Sequence, residues 1–157
     1  MASEQPRTTA LRLAQAKARD VASHYPQALV IGSDQVAALD GTAIGKPGGH
    51  AQAVAQLKAM RARSVIFHTA LAVLNTTTGT IGSVEVPTTV SFRDYTDAEV
   101  ERYLRLEQPY DCAGSAKIEG QGIVLVERVS SDDPTALIGL PLIALADMLR
   151  ANGIPLV

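Results

Sequence analysis

The chain has 157 residues and a formal net charge of −2, and 46% of its residues are hydrophobic, 19% charged and 4% aromatic. This length and hydrophobic content fit a single folded domain with a buried core, and they exclude a chain that is disordered throughout. The nearly balanced charge and the scarcity of aromatic residues argue against a general nucleic-acid binder and against a protein of anionic membrane surfaces.

The first half of the chain predicts a helix, a buried strand, a hairpin and a second helix. Apolar residues recur at helical spacing over residues 7–24. Residues 28–32 are all apolar or glycine, which is typical of a strand buried on both faces, and we expect this strand to end at Ser33-Asp34-Gln35. Asp40-Gly41 predicts a tight hairpin turn, and a helix is predicted over 51–61.

The second half predicts two long strands, a capped helix, a loop, a fifth strand and a last helix. Residues 65–74 are almost all apolar, whereas 84–93 alternate between apolar and polar, so the second strand should have one wet face. Thr96 and Glu99 predict a capping box. The remaining elements are a helix at 97–107, a loop at 109–122, a strand at 123–129 and a buried helix at 141–151. This succession predicts an α/β or α+β-like fold with a mixed, twisted sheet and flanking helices.

Three segments place charged side chains on a restricted backbone. Asp34 follows the first buried strand, where α/β ligand sites form, although a turn-forming aspartate is the alternative. Gly45-Lys46-Pro47 holds an ammonium group on a stiff turn and could neutralise phosphate, or it is a solvated loop lysine. The glycine-bounded loop 114–120 presents Lys117 and Glu119 to a ligand, or only connects two elements. Together these segments suggest metal-assisted phosphate chemistry.

Other chemically reactive residues give no catalytic pattern. The histidines His24, His50 and His68 lie on different elements without metal-ligand spacing, and we interpret them as structural. Cys112 is interpreted as a small buried residue rather than a nucleophile, and Lys17 alone as part of a solvated helix face. The sequence contains neither a P-loop nor a GxSxG elbow.

Nothing in the sequence predicts export or membrane insertion. The single cysteine cannot form an internal disulfide, and the polar N-terminus lacks the apolar core of a signal peptide. The longest apolar run, residues 136–146, is far shorter than the ~18 residues that a spanning helix needs. We therefore expect a cytoplasmic protein without membrane or nucleic-acid partners.

Five segments, taken in order, resemble the Maf family of nucleotide pyrophosphatases, the septum-formation-inhibitor-like proteins. They are LAQAKA at 13–18, VIGSDQV at 30–36, GKP at 45–47, YDCAGSAK at 110–117 and LIGLPL at 137–142. Each is weak singly, but their order over nearly the whole chain is specific. The resemblance implies one domain over residues 1–157 with a Maf/Ham1 ITPase-like fold.

The resemblance also implies a reaction and a set of site residues. The reaction is hydrolysis of a nucleoside triphosphate to the monophosphate and diphosphate, with a divalent cation such as Mg²⁺ or Mn²⁺. Asp34 would match the proton acceptor, and Lys17 and Lys46 would match phosphate-binding lysines. Gln35 and Glu119 match positions linked to base selection. The Ser-Asp-Gln and Ala-Gly-Ser-Ala-Lys-x-Glu variants look like the 7-methyl-GTP pyrophosphatase subgroup, and a homodimer is common in proteins of this kind.

The family pattern includes a first strand with a Ser-x-x-Arg-type motif, which has no counterpart ahead of Arg7. On this basis we expect an N-terminally shortened domain. One alternative is a catalytically impaired nucleotide-binding or protein-interaction module, although the joint presence of Asp34, Lys46 and Glu119 disfavours it. The other is an unrelated nucleotide hydrolase, which would make the order of the motifs a coincidence.

Overall fold

A computed structural model of the chain describes residues 4–157. Its α-helices are α1 (Pro6–Ala22), α2 (His50–Met60), α3 (Asp97–Glu107) and α4 (Leu142–Ala151). Its strands are β1 (Leu29–Leu39), β2 (Thr42–Ile44), β3 (Ser64–Asn75), β4 (Thr80–Phe92) and β5 (Val126–Ser131). Short 3₁₀ helices lie at Ala113–Ser115, Gln121–Leu125 and Ala136–Ile138. None of the helices in this part of the chain is long and apolar enough to span a membrane.

The strands form one sheet in the order β2-β1-β3-β4-β5, and each neighbouring pair is antiparallel. The expected α/β class with flanking helices is confirmed, but over residues 4–157 the sheet is antiparallel rather than mixed in strand direction. The tight hairpins that join β1 to β2 and β3 to β4 explain much of the antiparallel pairing, because parallel neighbours would need long crossover connections. The predicted turn at Asp40-Gly41 is one of them, with φ of 49° and 76°.

The two faces of the sheet are covered by different helices. Helix α1 packs its alanines Ala10, Ala14 and Ala18 against alanines of β3 and Val30 of β1, and we call this side the α1 face. The opposite face carries the larger core, which includes Leu57 of α2 and Phe67 of β3. Because alternate residues of a strand point to opposite faces of the sheet, two consecutive residues of β1 have their side chains on different faces.

Helix α1 lies unusually close to β1 at Gly32. A Cβ atom at this glycine would lie 2.2 Å from the carbonyl oxygen of Ala14 and 2.7 Å from the backbone nitrogen of Ala18. Only glycine therefore permits this approach. The close packing brings Lys17 of α1 beside the next residues of β1.

The first strand is longer than predicted. It continues through Ser33-Asp34-Gln35 to Leu39, because the polar residues remain paired with β3, as in the register of Asp34 with Ala70. The expectation that Asp34 ends a strand was therefore wrong. Burial on both faces was also wrong at Ile31, which is 43% exposed.

Helix α4 is less buried than its apolar sequence predicted. Leu145 packs on Leu71 and Val73 of β3, whereas Leu142 and Ile143 are 49% and 55% exposed. Only the side of the helix that carries Leu145 meets the core over the central strand β3. The strand predicted at 123–129 begins at Val126, since the preceding residues form a 3₁₀ helix. The predicted capping box of α3 is confirmed.

Candidate active site

The acidic side chain of the Ser-Asp-Gln segment pairs with a lysine of helix α1. Lys17 Nζ donates a hydrogen bond to Asp34 Oδ1 at 2.6 Å and another to the carbonyl oxygen of Ser33 at 3.0 Å. The Asp34 side chain is 16% exposed, and that of Lys17 is 58% exposed. Because the ammonium of Lys17 is exposed, it can bind an incoming phosphate while it stays beside the mostly buried carboxylate of Asp34. Lys17 is therefore not merely part of a solvated face.

Gln35 points to the opposite face of the sheet. Its Nε2 donates hydrogen bonds to Thr69 Oγ1 at 2.9 Å, to the carbonyl oxygen of Leu137 at 3.0 Å and to that of Ala136 at 3.2 Å. Ser33 Oγ reinforces this contact, because it lies 2.6 Å from the carbonyl oxygen of Gly139. With the amide nitrogen occupied in this way, the amide oxygen of Gln35 remains to accept a hydrogen bond from a ligand.

Gln35 and Glu119 line one small cavity of about 130 Å³ on this opposite face. The other walls include Cys112, Ile118, Leu137 and Ile138. Sites that enclose a whole drug-sized ligand measure ~300–1,000 Å³, so this cavity suits a single ring system. A larger cavity of about 500 Å³ lies at the C-terminal end of β4, around Arg63, Arg93 and Glu127, and none of the candidate site residues lines it.

The thiol of Cys112 is poorly suited to nucleophilic attack. Burial raises the pKa of this thiol, and the neighbouring carboxylate of Asp111 raises it further. The uncharged thiol is therefore the favoured form, and the thiolate is the nucleophile. This supports the prediction that Cys112 is not a nucleophile, although the residue is partly exposed in the cavity wall rather than buried.

The α1 face and the opposite face of the sheet meet at an open edge of β1. Asp34 and Gln35 are consecutive, so their side chains point to opposite faces. Strand β2 pairs with β1 only over residues 37–39, and this leaves the Asp34–Gln35 backbone unpaired on that side among residues 4–157. A ligand at this edge could have phosphates on the α1 face and a base in the small cavity.

Lys46 follows β2, the strand that lies on the same edge of β1 as the unpaired Asp34–Gln35 backbone. Because Ala37 pairs with Ile44, extending the register would set Lys46 opposite Gln35. Gly45 is held by Gln56 Nε2, which donates to its carbonyl oxygen at 3.0 Å. Because directly paired residues share a face, this register would start the Lys46 side chain on the Gln35 face, and its exposed ammonium would reach round the open edge to phosphates on the α1 face.

The loop that carries Glu119 is built around Tyr103. The phenol oxygen accepts a hydrogen bond from Lys117 N at 3.0 Å and donates one to the carbonyl oxygen of Ser115 at 3.1 Å. Burial raises the pKa of Tyr103 to about 12. Lys117, which the sequence offered as a ligand contact, instead pairs with Glu107 at 2.9 Å, whereas Glu119 is exposed.

A nearly buried carboxylate fixes the segment on which Gln35 rests. Asp133 is 2% exposed, and its Oδ1 accepts hydrogen bonds from Thr135 N at 2.9 Å and Thr135 Oγ1 at 2.6 Å. Its Oδ2 accepts one from Ile143 N at 2.8 Å. Burial by itself acts to raise the pKa of Asp133, but the hydrogen bonds from Thr135 and Ile143 outweigh it and hold that pKa below its usual value. No sequence motif predicted this role, because one of the two partner residues, Ile143, lies ten positions after Asp133.

Replacing Asp133 with Asn should destabilise the protein by about 1–3 kcal/mol at pH 7, because an amide nitrogen would face backbone donors. The folded-state pKa lies below the unfolded value, so the carboxylate contributes stability above about pH 4 and loses it as the pH falls through the folded pKa. Urea unfolding at pH 7 and at acid pH should show a weaker pH dependence in this variant. The exposed neighbour Asp132→Asn is the control. Equal stability of both variants would contradict this role.

The described residues do not build a resident metal centre. Among residues 4–157, no group of three or more His, Cys, Asp or Glu side chains is arranged to hold a metal ion. Asp34 is the acidic side chain beside Lys17, and the two are paired. Mg²⁺ is commonly bound through one or two carboxylates together with the phosphates of a substrate. The arrangement thus fits a cation that arrives with a phosphate ligand, not one held by the protein alone.

Comparison with known proteins identifies the family. A profile described as Maf-like protein matches residues 1–152. A protein of Cupriavidus metallidurans named 7-methyl-GTP pyrophosphatase is 59% identical over 155 residues, which are 99% of this chain and 78% of that protein. Proteins of the same name from Paraburkholderia xenovorans and Methylobacillus flagellatus are 61% and 57% identical, over 99% and 98% of this chain and 78% and 80% of their own lengths. The chain belongs to the Maf family, as its ordered motifs predicted.

Proposed function

We propose that this member of the Maf family hydrolyses 7-methyl-GTP between its α- and β-phosphates, giving 7-methyl-GMP and diphosphate. The observation that carries the proposal is the pair Asp34 and Gln35 at the open edge of β1. Asp34 Oδ1 lies 2.6 Å from Lys17 Nζ, and Gln35 lines a cavity of about 130 Å³ together with Glu119. The names of the relatives support the same substrate.

Asp34 is the proposed general base. In the ligand-free protein its carboxylate is neutralised by Lys17. When phosphate oxygens compete for the ammonium, Asp34 is free to take a proton from a water molecule. The water oxygen then bonds to the α-phosphorus, the bond to the bridging oxygen breaks, and diphosphate leaves. Lys17 and Lys46 offset the negative charge that grows on the phosphate oxygens.

Gln35 and Glu119 are the proposed base-selecting residues. A methyl group at N7 makes the guanine ring cationic, while N1 and the exocyclic N2 remain hydrogen-bond donors. The carboxylate of Glu119 and the amide oxygen of Gln35 are both acceptors, so they complement those donors. The charge on Glu119 adds attraction that unmethylated guanine would not gain.

A divalent cation, Mg²⁺ or Mn²⁺, is proposed to enter as part of the substrate complex, bound to its phosphate oxygens. This agrees with the single carboxylate beside Lys17. The homodimer remains an implication of the family resemblance, and the cytoplasmic location remains a prediction from the sequence.

The base preference is tested by Glu119→Gln, which keeps the shape of the side chain and removes its charge. Charge-assisted hydrogen bonds contribute roughly 1.5–3 kcal/mol, so the ratio of kcat/KM for 7-methyl-GTP over GTP should fall by about one to two decades. Turnover of GTP itself should change much less. Glu127→Gln, an exposed carboxylate on β5, is the matched control. If the ratio is the same in Glu119→Gln and in the parent, Glu119 does not select the base.

A further inference from the structure

A second charged cluster lies on the α1 face of the sheet, two strands from Asp34. Glu85 Oε1 accepts a hydrogen bond from His68 Nδ1 at 2.7 Å, and Glu85 Oε2 accepts one from Arg7 Nε at 3.2 Å. The side chains of Glu85 and His68 are 7% and 17% exposed, whereas that of Arg7 is 65% exposed. The mechanism proposed above uses none of these three residues.

The register of the strands sets this cluster beside the proposed general base. Asp34 pairs with Ala70, and Ala70 pairs with Glu85, so the three form one row across β1, β3 and β4. Neighbouring strands lie ~4.7–4.9 Å apart, which separates the Cα atoms of Asp34 and Glu85 by about 10 Å. His68 lies on the same face, diagonal to Asp34, at a spacing that long side chains can bridge.

Stability alone gives no reason for a charged group at this position. Removing a carboxylate from water is costly, and an apolar pair of similar volume is often neutral or stabilising in place of a buried ion pair. Helix α1 already packs on this face through Ala10, Ala14 and Ala18. The exposed contact of Arg7 with Glu85 adds little, as is usual for surface ion pairs.

The hydrogen bonds fix which atoms remain for a ligand. A carboxylate only accepts, so the ring nitrogen Nδ1 of His68 carries the proton and Nε2 is the nitrogen left over. A ring held at one nitrogen presents the other in a set direction. A phosphate oxygen also only accepts, so Nε2 can bond to it only in the imidazolium form, in which both ring nitrogens donate and the positive ring lies between the Glu85 carboxylate and the bound anion. Arg7 contacts Glu85 through Nε, so its two terminal nitrogens can face an anion.

We infer that Arg7 and His68, both oriented by Glu85, bind the diphosphate end of the nucleotide while Asp34 and Lys17 act at its α-phosphate. The inference rests on the proposed function for its substrate, but the ligand chemistry is that of diphosphate itself. Inorganic diphosphate, the leaving product, should therefore bind this cluster without a nucleoside.

The test is calorimetric binding of inorganic diphosphate and, separately, of 7-methyl-GMP, at one fixed Mg²⁺ concentration. His68→Gln and Arg7→Gln should each weaken diphosphate binding by about tenfold or more, as expected for a lost hydrogen bond to a charged group. Binding of 7-methyl-GMP should not change. His24→Gln, at an exposed position just after α1, is the control and should bind both ligands as the parent does.

The outcomes separate this inference from the proposed function. Diphosphate binding that is absent in the parent, or equal in the parent and both variants, overturns the inference. Equal weakening of both ligands also overturns it, because a merely structural role would act on both. Arg7 is exposed, so Arg7→Gln decides the matter even if His68→Gln unfolds. If the variants lose diphosphate binding but the parent releases no diphosphate from 7-methyl-GTP, the inference stands and the proposed function fails.

Discussion

Asp34→Asn should lower kcat for diphosphate release by about 10²–10⁴-fold, the range expected when a general base is lost. The amide keeps the size of the side chain, and its oxygen can still accept the hydrogen bond from Lys17 that is seen at 2.6 Å. KM and the thermal unfolding midpoint should therefore stay close to those of the parent. Steady-state kinetics with 7-methyl-GTP and a melting curve provide both readouts.

The control for this experiment is Asp20→Asn, an exposed carboxylate on the same helix as Lys17. It should leave both kcat and stability unchanged. A parental rate in Asp34→Asn would assign Asp34 a structural role and remove the base from the mechanism. A large loss of stability together with activity would point to the ion pair with Lys17 rather than to proton transfer.

Gly32→Ala should destabilise the protein by about 3 kcal/mol, the upper part of the usual range for overpacking, because the new Cβ meets backbone rather than a movable side chain. It would lie 2.2 Å from the carbonyl oxygen of Ala14, so α1 must move away from β1. Lys17 moves with the helix. We expect kcat/KM to fall in the fraction that remains folded, and urea unfolding gives the stability change.

Gly82→Ala is the matched control within the same sheet. Its Cβ would meet only the flexible end of Met148, whose Cε atom is 3.2 Å away. This variant should lose much less stability and keep its activity. Similar stability of the two variants would show that the approach of α1 to β1 at Gly32 is not tightly fixed.

Local sequence signals predicted the elements that depend on local interactions. The capping box of Thr96 and Glu99 and the hairpin at Asp40-Gly41 need only neighbouring residues, and both are present as predicted. The length of β1 depends instead on pairing with β3, more than thirty residues away. A polar Ser-Asp-Gln segment looks like a strand end until that pairing is known.

The candidate site likewise depends on contacts between distant residues that local sequence signals do not predict. Lys17 and Asp34 lie on different elements, and no local pattern joins them; the family resemblance grouped them before their contact was visible. Once β1 is recognised as continuous, simple alternation separates Asp34 from Gln35 onto two faces. The pairing of Lys117 with Glu107 had no sequence signal, since it depends on how the loop folds over α3.

The most direct test of the proposed function is kcat/KM of the parent chain for 7-methyl-GTP, GTP, UTP and dTTP, measured by diphosphate release with Mg²⁺ or Mn²⁺. We expect 7-methyl-GTP to exceed GTP by about one to two decades, because only the methylated base gains the charged contact with Glu119. UTP and dTTP should be poorer still. A preference for UTP or dTTP would contradict the assigned substrate, and binding of 7-methyl-GTP without release of diphosphate would contradict hydrolysis.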